Sequence, residues 1–100
     1  MKQIIVSTTM DNKKDAETLA KKIIKTRLGK CIQISSIKSI YEWKDKIEKS
    51  NEFKLEIKTS SYKYKKLENF ILKNHKYELP EIIITKIKGG YSKYLEWLKK

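Results

Sequence analysis

Residues 52–59 read EFKLEIKT: Phe53, Leu55, Ile57 and Thr59 alternate with Glu52, Lys54, Glu56 and Lys58. Successive side chains of a strand point to opposite faces, so this period of two predicts a strand with one buried and one wet face. Glu52 and Glu56 fall on the wet parity and are expected to be solvated. Immediately before it, residues 44–51 are polar and read as a turn. Before that turn, Cys31 to Trp43 reads as extended, with Ile32 and Ile34 on one parity and Ile37, Tyr41 and Trp43 on the other. A one-residue slip turns every side chain to the other face, so the phase change at Ser35 and Ser36 predicts a bulge or bend in one long strand.

Outward from this hairpin the signals alternate. Lys2 to Thr9 holds the β-favouring run Ile4, Ile5, Val6, Ser7, Thr8 and Thr9, and Asp11 offers a helix N-cap. Ala16, Leu19, Ala20, Ile23, Ile24 and Leu28 then recur at helical spacing, and Gly29 is expected as the C-terminal cap. On the other side Ser60 or Ser61 starts a second helix with the stripe Tyr64, Leu67, Phe70 and Ile71, ending near Asn74. Pro80 stops helix, and Glu81 to Lys88 reads as a strand. Its run Ile82, Ile83, Ile84 predicts cover on both faces. Gly89 and Gly90 turn the chain into a short C-terminal helix from Ser92. The order strand, helix, strand, strand, helix, strand is the ferredoxin-like split βαβ arrangement, an α+β fold with an antiparallel sheet and both main helices on one face.

The chain of 100 residues fits one domain, 1–100, able to bury a core without disulfides. No apolar run approaches the ~20 residues of a membrane helix or the apolar region of a signal peptide. The only cysteine, Cys31, has no partner for an intramolecular disulfide. Together these predict a cytoplasmic protein without membrane contact. The formal charge is +12, from 24 basic and 12 acidic residues. Arg27 is the only arginine and the lysines are scattered, which predicts only non-specific, salt-sensitive polyanion binding.

Most chemical motifs are absent. Three glycines leave no P-loop and no dinucleotide fingerprint, and one histidine with one cysteine leaves no zinc spacing. Cys31 and His75 lie on different elements, and a lone strand thiol reads first as a small buried hydrophobe.

Particular blocks carry more. Cys31-Ile32-Gln33, Ser39-Ile40-Tyr41-Glu42-Trp43, Lys58-Thr59, the run from His75 to Ile82 and the segment Tyr94 to Leu98 resemble the CutA family over essentially the whole chain. The resemblance implies a ferredoxin-like homotrimer akin to the PII signalling proteins, linked to tolerance of divalent cations such as copper, with no established catalytic activity. Two departures are Lys76, where the family usually has proline, and Gln33, where it has asparagine. At the positions of copper ligands proposed for a bacterial branch, this chain reads Ser7, Asn74 and His75. His75, with Cys31, is then the candidate metal-binding set, and binding of Cu(II) or another divalent cation is expected to be weak. Tyr41, Trp43, Lys58 and Tyr77 are the candidate walls of an intersubunit cleft for a cation or small anion. The expected function is binding rather than catalysis. The alternatives are an RNA-binding ferredoxin-like module, which needs aromatics on an exposed sheet face, and an enzyme with an intersubunit active site.

Overall fold

The computed structural model describes residues 2–100. Its elements are β1 (Gln3–Met10), α1 (Lys13–Lys25), β2 (Cys31–Trp43), β3 (Lys46–Ser60), a 3-10 turn (Ser61–Lys63), α2 (Tyr64–Asn74), β4 (Ile83–Lys86) and α3 (Ser92–Lys99). The antiparallel sheet has the order β2-β3-β1-β4. This is the expected ferredoxin-like α+β arrangement.

The core follows from the two periodicities. Ile4, Val6 and Met10 of β1 and Leu55 and Ile57 of β3 share a face, and onto it pack Ala16, Leu19 and Ile23 of α1 and Leu67 and Ile71 of α2. Each of these residues is at most 4% exposed. Burying one such leucine or isoleucine is worth roughly 1.5–3 kcal/mol, so these elements form the stable part of the molecule. Thr59 keeps its buried hydroxyl satisfied by donating from Oγ1 to the carbonyl of Leu28 at 2.8 Å. The short α3 packs against β3 and β1. It takes the sheet face opposite α1 and α2, where Lys58 Nζ donates to Tyr94 Oη at 3.3 Å and Lys30 Nζ sits 4.9 Å from the Trp97 ring centroid.

Several boundaries differ from the sequence expectation. The cap of α1 is Asn12 rather than Asp11: Asn12 Oδ1 accepts from the Asp15 backbone N–H at 2.8 Å. At the other end the helix closes at Thr26, and the left-handed residue is Arg27, with φ 62°. Gly29 is not a cap. A Cβ there would lie 2.7 Å from Ile57 Cγ2 and 2.9 Å from Ile23 Cγ2, so glycine is required by close packing of the α1–β2 connection on the core.

The largest difference lies in the hairpin. Residues 44–51 are not a turn; β3 begins at Lys46, and the turn is Lys44-Asp45 alone, both left-handed with φ 51° and 65°. That is the two-residue connection whose twist suits a hairpin. Nor is there a bulge at Ser35 and Ser36, which pair in unbroken register with Lys54 and Phe53. The phase of apolar residues changes for another reason. Ile32 and Ile34 face the helix layer together with Leu55 and Ile57, whereas Ile37, Tyr41 and Trp43 face the opposite side. β1 pairs β3 only from Phe53 to Ser60, so beyond Phe53 the hairpin runs on as a two-stranded ribbon with no helix layer behind it. Ile40 and Ile47 are 65% and 82% exposed there. The isoleucines of residues 82–84 are likewise not covered on both faces in the single chain. β4 is an edge strand of four residues, with Ile83 and Ile84 exposed.

Candidate functional site

Where β1 ends at Met10 and β3 continues outward, the sheet leaves a space beside the root of the ribbon. The segment after α2 flanks it, and the result is an open groove of about 910 Å³. Tyr41 and Trp43 come from the ribbon, Tyr77, Glu78 and Glu81 from the segment before β4, and Thr9 and Asp11 from the end of β1. Five of the chain's 12 acidic residues line it, namely Asp11, Glu42, Glu52, Glu78 and Glu81, and none of the 24 basic residues does among the described residues. In a chain of charge +12 this is a local inversion of sign.

Glu52 anchors the groove. It is not solvated, as its strand parity predicted, but only 6% exposed, and its Oε2 accepts from Tyr77 Oη at 2.8 Å. Burial and the neighbouring carboxylate push the Tyr77 phenol above its ordinary pKa, so Tyr77 is the donor in this pair at neutral pH. Among the described residues no donor meets Glu52 Oε1. The buried side-chain atoms without a partner among the described residues are Gln3 Nε2 and Thr8 Oγ1, so Glu52 Oε1 is open to the water of the groove.

His75 fixes the segment that carries Tyr77. Its Nε2 lies 2.7 Å from the carbonyl oxygen of Thr9, and its Nδ1 accepts from the Tyr77 backbone N–H at 3.1 Å. A ring that donates through Nε2 and accepts through Nδ1 is a neutral imidazole with both nitrogens in use. The next residue, Lys76, turns away from the groove to pair with Asp15 of α1 at 2.6 Å. The ring of His75 also packs against Tyr77, with centroids 4.8 Å apart.

The sequence candidates are thus partly assembled. Tyr41, Trp43 and Tyr77 line one groove; Lys58 does not, and instead meets Tyr94 on the face carrying α3. Cys31 stands opposite Lys58, and the Thr9 that holds His75 stands opposite Lys54, four residues along β3 or about 13 Å, so thiol and imidazole are not together. Asn74 donates from Nδ2 to the Phe70 carbonyl at 2.8 Å, and Ser7 is 7% exposed in the middle of β1. His75 has both ring nitrogens engaged, Cys31 is a free, half-buried thiol set apart from it, and among the described residues no three His, Cys, Asp or Glu side chains are grouped to hold a metal ion. This donor set does not fit a copper centre. The acidic residues of the groove were missed because Glu52 and Glu56 look alike in sequence; only the end of β1 and the fold-back of residues 75–81 make them different.

Residues 4–100 match the family model of the CutA1 divalent ion tolerance protein. The chain belongs to the CutA1 family. It is 39% identical to the chloroplastic CutA protein of Arabidopsis thaliana, covering 96% of this chain and 53% of that one, so it spans about half the length of that plant relative. The crystal structure of CutA1 from Oryza sativa superposes with a TM-score of 0.94 at 39% identity, covering 98% of this chain and 91% of that one. The periplasmic divalent cation tolerance protein CutA of Archaeoglobus fulgidus superposes with a TM-score of 0.93 at 30% identity, covering 96% and 94%. These relatives correct the expectation of a cytoplasmic protein. Family members are named for the chloroplast and the periplasm, and a lone cysteine with no membrane-length apolar run does not fix a compartment, because such addresses are read by receptors from separate segments. Among the described residues no helix is long and apolar enough to cross a membrane.

Proposed function

We propose that this protein is a closed homotrimer that binds cations, rather than an enzyme, and contributes by binding to divalent-cation tolerance. The observation that supports this most directly is the groove: five carboxylates and three aromatic rings with no lining lysine, in a strongly basic chain. Such a lining attracts cations and repels anions, so the small-anion reading of the cleft loses its support. Assembly is supported by the ribbon, which carries exposed Ile40 and Ile47 on one face and Tyr41 and Trp43 on the other, and by exposed Ile83 and Ile84 on edge strand β4. A two-stranded ribbon is marginal alone, and apolar edges call for a partner that closes on itself. The RNA-binding alternative is weaker, since of the aromatics opposite the main helices Tyr94 and Trp97 are already met by Lys58 and Lys30, and Tyr41 and Trp43 line the acidic groove.

Sedimentation at micromolar concentration tests the assembly. A species of three times 11.9 kDa is expected, and Trp43→Ala is expected to weaken it by about 2 kcal/mol, as aromatic anchors dominate such contacts. A monomer at that concentration would refute the reading. Calorimetric titration with Cu(II) is expected to show weak binding, because His75 must give up a hydrogen bond to become a ligand. Tight stoichiometric uptake surviving His75→Ala would place a copper site elsewhere.

A further inference from the structure

Lysines that read as scattered along the chain are not all scattered in the fold. The end of the molecule where α1 finishes and α2 starts collects Lys25 from the last turn of α1 and Arg27 from the connection after it. Lys63 and Lys66 join them from the start of α2, and Lys2 from the start of β1. Two contacts hold these segments together: Lys63 Nζ donates to the Arg27 carbonyl at 2.8 Å, and the Ser61 backbone N–H donates to the Lys2 carbonyl at 2.8 Å. Lys66 follows Lys63 by three residues and shares its side of the helix. The sequence has no acidic residue before Asp11, between Glu17 and Glu42 or between Glu56 and Glu68. Glu68 itself is taken by Tyr64 and Lys65, and none of the five cations forms a salt bridge among the described residues.

Local rules do not put these charges there. The start of a helix carries partial positive charge and favours acidic residues, yet the first turn of α2 has none and the chain enters it through Lys63. Facing it, Arg27 holds a positive φ of 62° in the position after a helix where glycine is usual. It is also the only arginine among the 24 basic residues. Arginine is the side chain whose planar fork matches a phosphate by two parallel hydrogen bonds. Mutual repulsion and a strained backbone at one place are accounted for by a ligand, not by the fold. That ligand is anionic, and it is extended, because cations drawn from β1, α1 and α2 cannot all meet one phosphate.

We infer that this end of the helix layer binds single-stranded nucleic acid through its phosphate backbone, with Tyr62 as a stacking face for a base. Tyr62 is 64% exposed between Ser61 and Lys63, and Lys63 Nζ lies 5.8 Å from its ring centroid. An exposed aromatic ring among cations that track a backbone is how sequence-tolerant single-strand sites are built. A membrane surface fits less well, since a face that docks on lipid carries a band of apolar side chains beside its lysines. Here the exposed aliphatic neighbour is Ile24, which shares a hollow with Ile32. The site is not the sheet face weighed above. Neither the ribbon nor β4, through which the proposed assembly closes, contributes a residue to it, so that assembly leaves it open.

The probe is a fluorescent oligothymidylate of about 15 nucleotides, followed by anisotropy with the full chain at about 50 to 300 mM salt. Saturable binding is expected, its affinity falling with salt at a log–log slope of about −3, as for four or five neutralised phosphates on a single strand. Lys25→Glu with Lys66→Glu should weaken it by about tenfold or more at the lowest salt. Lys14→Glu with Lys73→Glu, an equal change of net charge at the opposite end of the same two helices, should change it by less than about twofold. Arg27→Gly relieves the positive φ while removing the guanidinium, so it should retain the thermal transition and still weaken binding severalfold. It carries the test should the charge reversals fail to fold. Tyr62→Ala should weaken binding of the single strand and leave that of a duplex of equal length unchanged. No saturable binding at the lowest salt, or equal losses from the two double variants, would overturn the inference, the latter assigning binding to net charge alone. Co-sedimentation with phosphatidylserine vesicles by a protein that ignores the oligonucleotide would give the surface to a membrane instead. A duplex bound as tightly as the single strand, with Tyr62→Ala indifferent, would overturn the single-strand assignment.

Discussion

The inner and outer halves of one hairpin obey the same backbone rules and live in different surroundings. From Cys31 to Ser36 opposite Phe53 to Lys58, β2 and β3 are backed by α1 and α2; from Ile37 to Trp43 opposite Lys46 to Glu52, the same register continues with no helix layer behind it. Leu55 and Ile57 are fully buried, while Ile40 and Ile47 are 65% and 82% exposed. A ladder of hydrogen bonds therefore does not decide where a strand is stable. Backing does. The inner half belongs to the fold, and the outer half to whatever the ribbon meets and to the groove at its root.

The comparison breaks most visibly at matched isoleucines. Ile57→Ala removes buried methylenes from the centre of the core and should cost about 2–5 kcal/mol of unfolding free energy. Ile47→Ala, on the exposed ribbon, should change the stability of the isolated fold by less than about 0.5 kcal/mol. Urea denaturation of both variants checks the contrast. Equal losses would mean that the ribbon folds as part of the core.

Gly29→Ala tests the inner half from its edge. An added Cβ would sit 2.7 Å from Ile57 and 2.9 Å from Ile23, both fully buried, so neither neighbour can move freely. Overpacking of this kind costs about 1–3 kcal/mol, measurable as a lowered urea midpoint with an unchanged slope. At the far tip of the ribbon the sign reverses. Lys44 and Asp45 are both left-handed, and Asp45→Gly relieves a strained side chain at a position where glycine is preferred in such turns. A gain of about 0.5–1 kcal/mol is expected by thermal unfolding, and a loss would show that the Asp45 side chain holds the turn.

These contrasts also explain how much was legible in the sequence. The alternation of residues 52–59 and the helical stripes identify every strand and main helix, because a period of two or of 3.6 needs only a local count. The phase change at Ser35 and Ser36 was visible too, but its cause was not. A local pattern shows which face is apolar, not whether a helix layer or another surface covers it. Lys44 and Asp45 carry no glycine, so the two-residue turn left no signature and the polar outer half of β3 read as loop. In the site, Tyr41, Trp43 and Tyr77 were found because aromatics stand out. Glu52 was not, because its burial depends on β1 ending at Met10 and on His75 anchoring the returning segment to Thr9.

The smallest expected effect concerns that anchor's neighbour, the pair Asp15 and Lys76, which ties the start of α1 to the segment bearing Tyr77 at 2.6 Å. The hydrogen bond from Lys76, helped by Asn12, holds the Asp15 carboxyl below its ordinary value despite partial desolvation. The hydrogen bond to Asp15 likewise raises Lys76 above its ordinary value. A carboxyl depressed in the folded state stabilises above its unfolded pKa, about 3.9, and loses that contribution as pH falls through the lower folded value. A raised lysine contributes fully below its unfolded pKa, about 10.4, and loses the contribution as pH rises through the higher folded one. Between about pH 5 and 9 both are charged and the pair is pH-independent. Asp15→Asn should therefore lower the urea midpoint by a small, constant amount across that window, with the difference from wild type shrinking below about pH 4 and in high salt. The variant keeps the Asp15 backbone N–H that Asn12 Oδ1 accepts, and its amide oxygen can still accept from Asn12 Nδ2, so the cap is retained. A difference that persisted unchanged at pH 2, where the carboxylate is protonated, would assign the effect to packing at the helix start rather than to the ion pair.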